Sequence, residues 1–359
     1  MEDDWKENIP TPALILNYDK MVKNIELMAK FTKENNINLR PHVKTHKCPK
    51  IGRMQLEAGA RGICVARVGE AEIFAQHGFD DILIANQVVD MNQIKRLVNL
   101  NKSSLVRVCV DSEKNILDLN RYAIKEGIEL EVLIEVDVGL GRNGVKPGKP
   151  TLKLGNFIKE QKGLKLVGLQ GYEGHLISVK DPELRKQQTE ECMRLLVDTR
   201  DLLNDNDFDI NYLTASNSVT YKYSGKYEGI TELQPGTYIF NDDHHYRIVP
   251  EFEIATFILG TITNNPGKRL YTIDVGLKAA TNDNGNPIFR NYPKSRIRIM
   301  TEEHSIFRSI QQTNFEIGQK IELIPTHICT TVNLYDFFTV IKDNEIIAKW
   351  EILARGKNY

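Results

Sequence analysis

Through the first two thirds of the chain, short β-branched runs alternate with stretches whose Leu, Ile and Met recur at helical spacing. Strand-like runs fall at 37–43 (INLRPHV), 62–66 (GICVA), 81–86 (DILIAN), 106–111 (VRVCVD), 130–137 (LEVLIEVD), 164–172 (LKLVGLQGY), 212–218 (YLTASNS) and 232–240 (ELQPGTYIF). Between most of them, segments such as EKNILDLNRYAIKEG and EECMRLLVDTRDLLN place apolar residues three and four apart, which winds into one buried stripe on a helix. The connection 219–230, rich in Tyr, Gly and Lys, carries a weaker helical pattern. Strands separated by helices pair in parallel, because the chain must cross back before each new strand begins. Eight such units close a (β/α)8 TIM barrel.

After Val249 the period changes from helical to alternating. FEIATFILGTI, RLYTIDVGL, KIELIPTHICTTVNL and DFFTVIKDNEIIAKWEIL read apolar–polar with turn residues between them, and no helix is predicted. The early run TPALILN (11–17) is also strand-like and precedes the first barrel helix. The expected fold class is therefore α/β: a (β/α)8 barrel over 18–248, and an all-β domain made of 1–17 plus 249–359.

Composition narrows the class without changing this picture. The chain has 359 residues, 41% hydrophobic and 26% charged, enough for a sizeable core. Lys plus Arg number 47 against 48 Asp plus Glu, so no whole-protein field draws in nucleic acid or an anionic membrane, and neither is expected as a partner. The acidic start MEDDWKENIP does not resemble a secretory signal, and no apolar run reaches membrane-spanning length. Five scattered cysteines, none in a C-x-x-C pair, point to reduced thiols and a cytoplasmic protein.

Candidate chemistry concentrates where barrel enzymes keep it, at the C-terminal ends of strands. The first strand runs into RPHVKTHKCPK, which puts one Arg, two His and three Lys into eleven residues. Such a cluster in isolation is usually a solvated loop. Here the ends of later strands supply VDVGLGRNGV, GYEGH, TASNS and QPGTY, polar and Gly-rich segments suited to a cofactor phosphate. In PTHICTT, His327 and Cys329 are two apart on a predicted strand and so project from one face, and imidazole with thiolate is a donor pair that suits zinc.

The motifs RPHVKTHK, VDVGLGRNGV, GLQGYEGH, LQPGTYIFND, TIDVGLKA, TEEH, PTHICTTVNLYD and WEILARG, in that order, resemble the D-serine dehydratase and D-threonine aldolase group, and the resemblance spans Thr11 to Gly356. These are pyridoxal-phosphate (PLP) enzymes with the alanine-racemase-type fold, known as fold type III. The resemblance implies that Lys44 holds PLP and then serves as the base for the substrate's α-proton. Arg40, His42, His46 and Lys47 would surround it with positive charge, which favours the neutral amine. His46, Tyr172 and His175 are the further catalytic candidates, with Tyr172 beside the ring and His304 of TEEH without an assigned role. Arg142 would face the phenolic oxygen, and Ser216, Ser218, Gly236, Thr237 and Tyr238 would hold the phosphate. TASNS departs from the more Gly-rich loop usual there, so Ser216 and Ser218 would substitute hydroxyls. Gln234 would meet the pyridine nitrogen; being neutral, it makes the ring a weaker electron sink than a carboxylate would. His327 and Cys329 would bind a divalent metal, zinc or manganese, that acts as a Lewis acid on the substrate's β-hydroxyl.

The activity so implied is a PLP- and metal-dependent lyase acting on a small D-β-hydroxy amino acid, with a homodimer expected. Cys329 resembles the dehydratases and GLQGYEGH the bacterial aldolase branch, and D-threonine aldolase is favoured over D-serine dehydratase. An amino-acid racemase has no β-leaving group for the metal pair to polarise. A non-catalytic PLP-binding barrel would not need the β-domain.

Overall fold

The computed structural model describes residues 4–310 and 314–359, so residues 1–3 and 311–313 of the expected β-domain lie outside it. Two compact units emerge: Met1–Leu27 with Thr45–Lys50 and Thr237–Arg355, and Met28–Lys44 with Ile51–Gly236 and Gly356–Tyr359. These divisions fall at Leu27 and Thr237, against the expected boundaries at 18 and 249. The first strand, β1 (Ala13–Asn17), belongs to the unit that also holds Thr237–Arg355.

In the other unit, all eight barrel strands form: β2 (Asn38–Leu39), β3 (Ile63–Val65), β4 (Asp81–Ile84), β5 (Leu105–Val110), β6 (Leu130–Val136), β7 (Leu164–Gly171), β8 (Tyr212–Ala215) and β9 (Glu232–Leu233). They pair in parallel in the order β2-β9-β8-β7-β6-β5-β4-β3. Backbone bonds from Arg61 N to Leu39 O (2.8 Å) and Cys64 N to Pro41 O (3.0 Å), with a bridge between His42 and Cys64, close the ring. In runs such as LVRVCV apolar residues fall on both faces because helices such as Glu113–Glu126 and Pro182–Asn204 cover the outside. The expected strand 232–240 is short: after Leu233 the chain turns, and Thr237–Ile239 is a 3₁₀ turn.

Side chains two apart along a strand stack inward in layers. One layer is ionic: Arg40 bonds Glu232 (2.9 Å) and Asp81 (2.8 Å), Arg107 bonds Asp81 (2.6 Å) and Glu131 (2.7 Å), and the Tyr212 hydroxyl donates to Glu232 (2.5 Å). Gly62 leaves the room: a Cβ there would sit 2.4 Å from the Arg40 guanidinium. Two residues further along the strands comes an apolar layer of Leu83, Cys109 and Leu133. Towards the C-terminal strand ends the interior turns polar again with Glu135, Gln170 and Gln234.

The other unit is a nine-stranded sheet. Its members are β1, β10 (Thr256–Gly267), β11 (Leu270–Ile273), β12 (Ile288–Phe289), β13 (Ser295–Met300), β14 (Ser305–Ser309), β15 (Lys320–Ile324), β16 (Phe337–Lys342) and β17 (Glu345–Glu351). TPALILN does join it: β1 lies between β10, antiparallel, and β16, parallel. Trp5, Ile9, Ala13 and Ile15 are buried with Phe257, Leu259 and Ile341, which fixes the start of the chain to this sheet.

One expectation fails here. PTHICTT is not a strand: β15 ends at Ile324, His327 is the N-cap of a helix at Ile328–Val332, and so the region is not free of helix. Pro325 cannot donate to a sheet ladder. The β-branched residues that read as strand fall at i, i+3 and i+4 (Ile328, Thr331, Val332), where all three are buried on one helical face.

Candidate active site

Three strand ends of the barrel bring Lys44, Arg142 and Tyr172 together. Lys44 lies in the 3₁₀ turn Val43–Thr45 after β2, Arg142 in the loop after β6, and Tyr172 directly after β7. The Lys44 Nζ is 5.9 Å and the Arg142 Cζ 5.3 Å from the Tyr172 ring centre, so one aromatic ring attracts both cations. The Arg142 loop is built by Asp137, whose Oδ1 accepts the N–H groups of Gly139 (3.1 Å) and Gly141 (2.9 Å) while Oδ2 pairs with Lys146 (2.7 Å). Glu135 lies 3.9 Å from Arg142 and accepts from Gln87 (2.5 Å); burial pushes its carboxyl up, against the pull of Gln87 and Arg142.

The His175 ring rests on Gly139, where a Cβ would come within 3.1 Å of it and where φ is +130°. Its Nδ1 is buried and has no hydrogen-bond partner among the described residues. Burial lowers the pKa of His175, partly offset by Asp137, so the ring is neutral near pH 7.

After β8, Ser216 adopts a left-handed φ of +86° and is buried with Asn217 and Ser218. The Asn217 Oδ1 accepts from Val219 N (2.8 Å) and Thr220 N (3.3 Å), leaving Nδ2 buried without a protein partner among the described residues. Behind the loop is Glu173, wholly buried, which accepts from Ser216 N, Thr220 Oγ1 and Ser224 Oγ. Gln234 is held by its own amide: Nε2 donates to Gln170 (3.1 Å) and Thr214 (2.8 Å), and Oε1 faces the Cys64 thiol at 3.5 Å. Burial raises the Cys64 pKa, so that thiol keeps its proton.

One expectation changes. Arg40 does not lend a free charge to Lys44; burial would lower its pKa, but Glu232, Tyr212 and Asp81 more than offset this, and its guanidinium is committed to the ionic layer. Tyr238 is 1% exposed with its ring against Phe252 (5.5 Å), within the sheet-bearing unit to which Thr237 also belongs.

Within that unit, His327 and Cys329 do come together, within hydrogen-bonding reach of one another, although by a helix N-terminus and not by strand alternation. The Cys329 Sγ is 3.3 Å from Thr45 Oγ1 and 3.8 Å from Thr237 Oγ1. Asp283 bonds the His327 Nδ1, which turns Nε2 towards the thiol side, and also accepts from Thr330 (3.1 Å). Burial opposes the charge on His327, but Cys329 and Asp283 lift its pKa to about 9. Asp242, fully buried, accepts from His245 Nδ1 (2.8 Å) and from the backbone N–H of Ile328 (3.1 Å), between the two candidate ligands. His46 is buried against Phe240 and accepts the Cys48 N–H on Nδ1 (3.1 Å), so its neutral ring carries the proton on Nε2. Among the described residues no group of three or more His, Cys, Asp or Glu has metal-holding geometry.

Sequence reasoning missed Glu173, Asp283, Asp242 and His245. Glu173 stood inside GYEGH, between two chosen residues, and the acid–imidazole run DDHH is the unused signal that could have marked Asp242 and His245. Asp283 gave none, since its partner is 44 positions away.

Family models match nearly the whole chain: the one described as "Alanine racemase, N-terminal domain" over residues 16–244, and "Putative serine dehydratase domain" over 255–341. The chain is 31% identical to a D-threonine aldolase of an Arthrobacter species, over 97% of this chain and 93% of that one. It is 29% identical to a 3-hydroxy-D-aspartate aldolase of Paracoccus denitrificans, over 99% and 94%. The structure of D-threonine aldolase from Filomicrobium marinum superposes with a TM-score of 0.96 at 31% identity, covering 98% of each chain. An alanine-racemase-type barrel carrying a serine-dehydratase domain, matched end to end, places the chain in the D-threonine aldolase and D-serine dehydratase family.

Proposed function

We propose that the protein is a PLP- and divalent-metal-dependent lyase that cleaves D-β-hydroxy amino acids, with D-threonine aldolase the favoured activity. The observation that carries this is the donor pair His327 and Cys329 with Asp283 on the far nitrogen of the imidazole, an arrangement that fixes the ring for a metal and that a racemase has no use for. The barrel fits the cofactor: a lysine and an arginine flank one aromatic ring, and a buried Asn217 amide lacks a protein partner. Bound PLP supplies the electron sink for charge developing on the substrate's α-carbon. A bound metal, zinc by the softness of the thiolate, polarises the β-hydroxyl.

Lys44 holds the cofactor and carries the α-proton; Tyr172 supports the ring plane; Arg142 offsets negative charge at the phenolic oxygen. Ser216, Ser218, Gly236, Thr237 and Tyr238 are assigned to the phosphate and Gln234 to the pyridine nitrogen. Neutral His175 accepts the proton of the β-hydroxyl; His46, the other catalytic candidate, has its Nδ1 occupied by the Cys48 N–H and can only donate from Nε2. Among the described residues no helix is long and apolar enough to cross a membrane. A cytoplasmic homodimer is the assembly we propose.

D-Serine dehydratase is the second reading, favoured by Cys329 and by the family match over 255–341. The deciding experiment incubates the protein with PLP and zinc or manganese, separately with D-threonine and D-serine. Acetaldehyde and glycine, lost in Lys44→Ala and His327→Ala and on chelation, establish the aldolase. Pyruvate and ammonia with the same dependence establish the dehydratase, and no product from either refutes both.

A further inference from the structure

Glu173 is buried at great expense and the chemistry proposed above has no task for it. A carboxylate out of water must be repaid by donors, and apart from its own backbone N–H they come from one segment. Its Oε2 accepts the Ser216 N–H at 3.2 Å; its Oε1 accepts the Thr220 hydroxyl at 2.6 Å and the Ser224 hydroxyl at 3.0 Å. Burial pushes its pKa up, and the bonds from Thr220, Ser224 and Ser216 pull against that. Ser216 is the residue in this segment that needs holding, since at φ +86° its Cβ is disfavoured where glycine would be at ease. Glu173 also follows Tyr172 directly and lies two residues before His175.

We infer that Glu173 is a positioning residue: it clamps residues 216–224 so that a non-glycine loop keeps the left-handed turn that receives the cofactor phosphate, in register with Tyr172 and His175. It does to Ser216, through a hydrogen bond, what a glycine would do by having no side chain. With Thr220 and Ser224 turned back to the carboxylate, the Asn217 Nδ2 is the loop's buried donor without a protein partner among the described residues. The inference rests on the reading of 216–218 as the phosphate loop.

The test measures PLP affinity by titration of the apoprotein, and the ³¹P resonance of the bound phosphate, in wild type, Glu173→Ala, Glu173→Gln, Ser216→Gly and the double variant Glu173→Ala/Ser216→Gly. Losing hydrogen bonds to a charged group weakens PLP binding about ten- to a hundredfold in Glu173→Ala and shifts the ³¹P line. Glu173→Gln stays within about threefold of wild type, because the amide oxygen takes the Ser216 N–H and the amide NH₂ donates to hydroxyls free to rotate. In the Ser216→Gly background, where the turn no longer needs a clamp, adding Glu173→Ala costs less than about threefold. That last comparison stands even if Glu173→Ala alone does not fold. An unchanged affinity in Glu173→Ala, or an undiminished loss in the Ser216→Gly background, overturns the inference. A wild-type protein that takes up no PLP refutes the cofactor reading itself, and the clamp with it.

Discussion

Arg40 and Lys44 lie four residues apart in one basic run and meet different surroundings. Arg40 is wholly buried with Glu232, itself wholly buried on the neighbouring strand β9, and with Asp81 on β4, which is not a neighbour of β2 in the sheet. Removing one partner strands the other charge, so Arg40→Ala destabilises the barrel by about 3–5 kcal/mol in denaturant unfolding, whereas Arg40→Met with Glu232→Leu loses much less. Equal losses in the single and double variants would show that volume, not charge, is what Arg40 supplies. The composition of that run was legible in the sequence and its division of labour was not. A motif singles out Lys44, but what turns Arg40 inward is the pairing of its backbone N–H with Leu233 and its side chain with Glu232, some 190 positions away. Sequence proximity put Arg40 beside Lys44; the carboxylates that claim it carry no local mark. The same is true of Asp283 on His327 and of Glu173 behind Ser216.

At the scale of elements, legibility follows length and burial. The longer barrel strands are largely apolar, and most crossings hold helices of nine residues or more, so period and spacing both betray them. The helix Ile328–Val332 is five residues long, less than two turns, and its β-branched residues fit either period. Its position is set instead by Asp242, which accepts the Ile328 N–H and the His245 ring together. Burial would raise the Asp242 pKa, but His245 holds it below the ordinary carboxylate value; burial would lower that of His245, but Asp242 holds it above the ordinary imidazole value. The carboxylate's contribution is complete above about pH 3.9 and is lost as pH falls through its depressed pKa; the imidazolium's is complete below about pH 6.5 and is lost as pH rises through its raised pKa. In metal-free protein, His245→Gln should therefore cost about 1.5–3 kcal/mol between these limits and progressively less at alkaline pH. A stability difference that stays flat from pH 5 to pH 9 would mean that the pair is not ionised in the fold.

For the molecule as a whole, the decisive pairing is the one longest in sequence. Residue 15 pairs with residue 339 across β1 and β16, and β1 pairs on its other side with β10. The chain must therefore complete its last hundred residues before its first strand has a sheet to join, and in the meantime β1 is an apolar segment with unmet backbone groups. Contacts of such separation make folding slow. The β1 side chains are fully committed: Ile15 is 0% exposed and is buried with Phe257, Leu259 and Ile341. Deleting residues 1–17 leaves β10 and β16 facing a gap one strand wide, with every ladder bond of β1 lost at once. The truncated chain should fail to give soluble protein with a cooperative melt, and Ile15→Ala, which keeps the strand but empties its core position, should cost about 2–5 kcal/mol. Both are read by thermal and denaturant unfolding of the purified chains. A truncated protein that melts as the intact one does would show that the sheet holds without β1. The N-terminal segment would then be an attachment rather than a central strand.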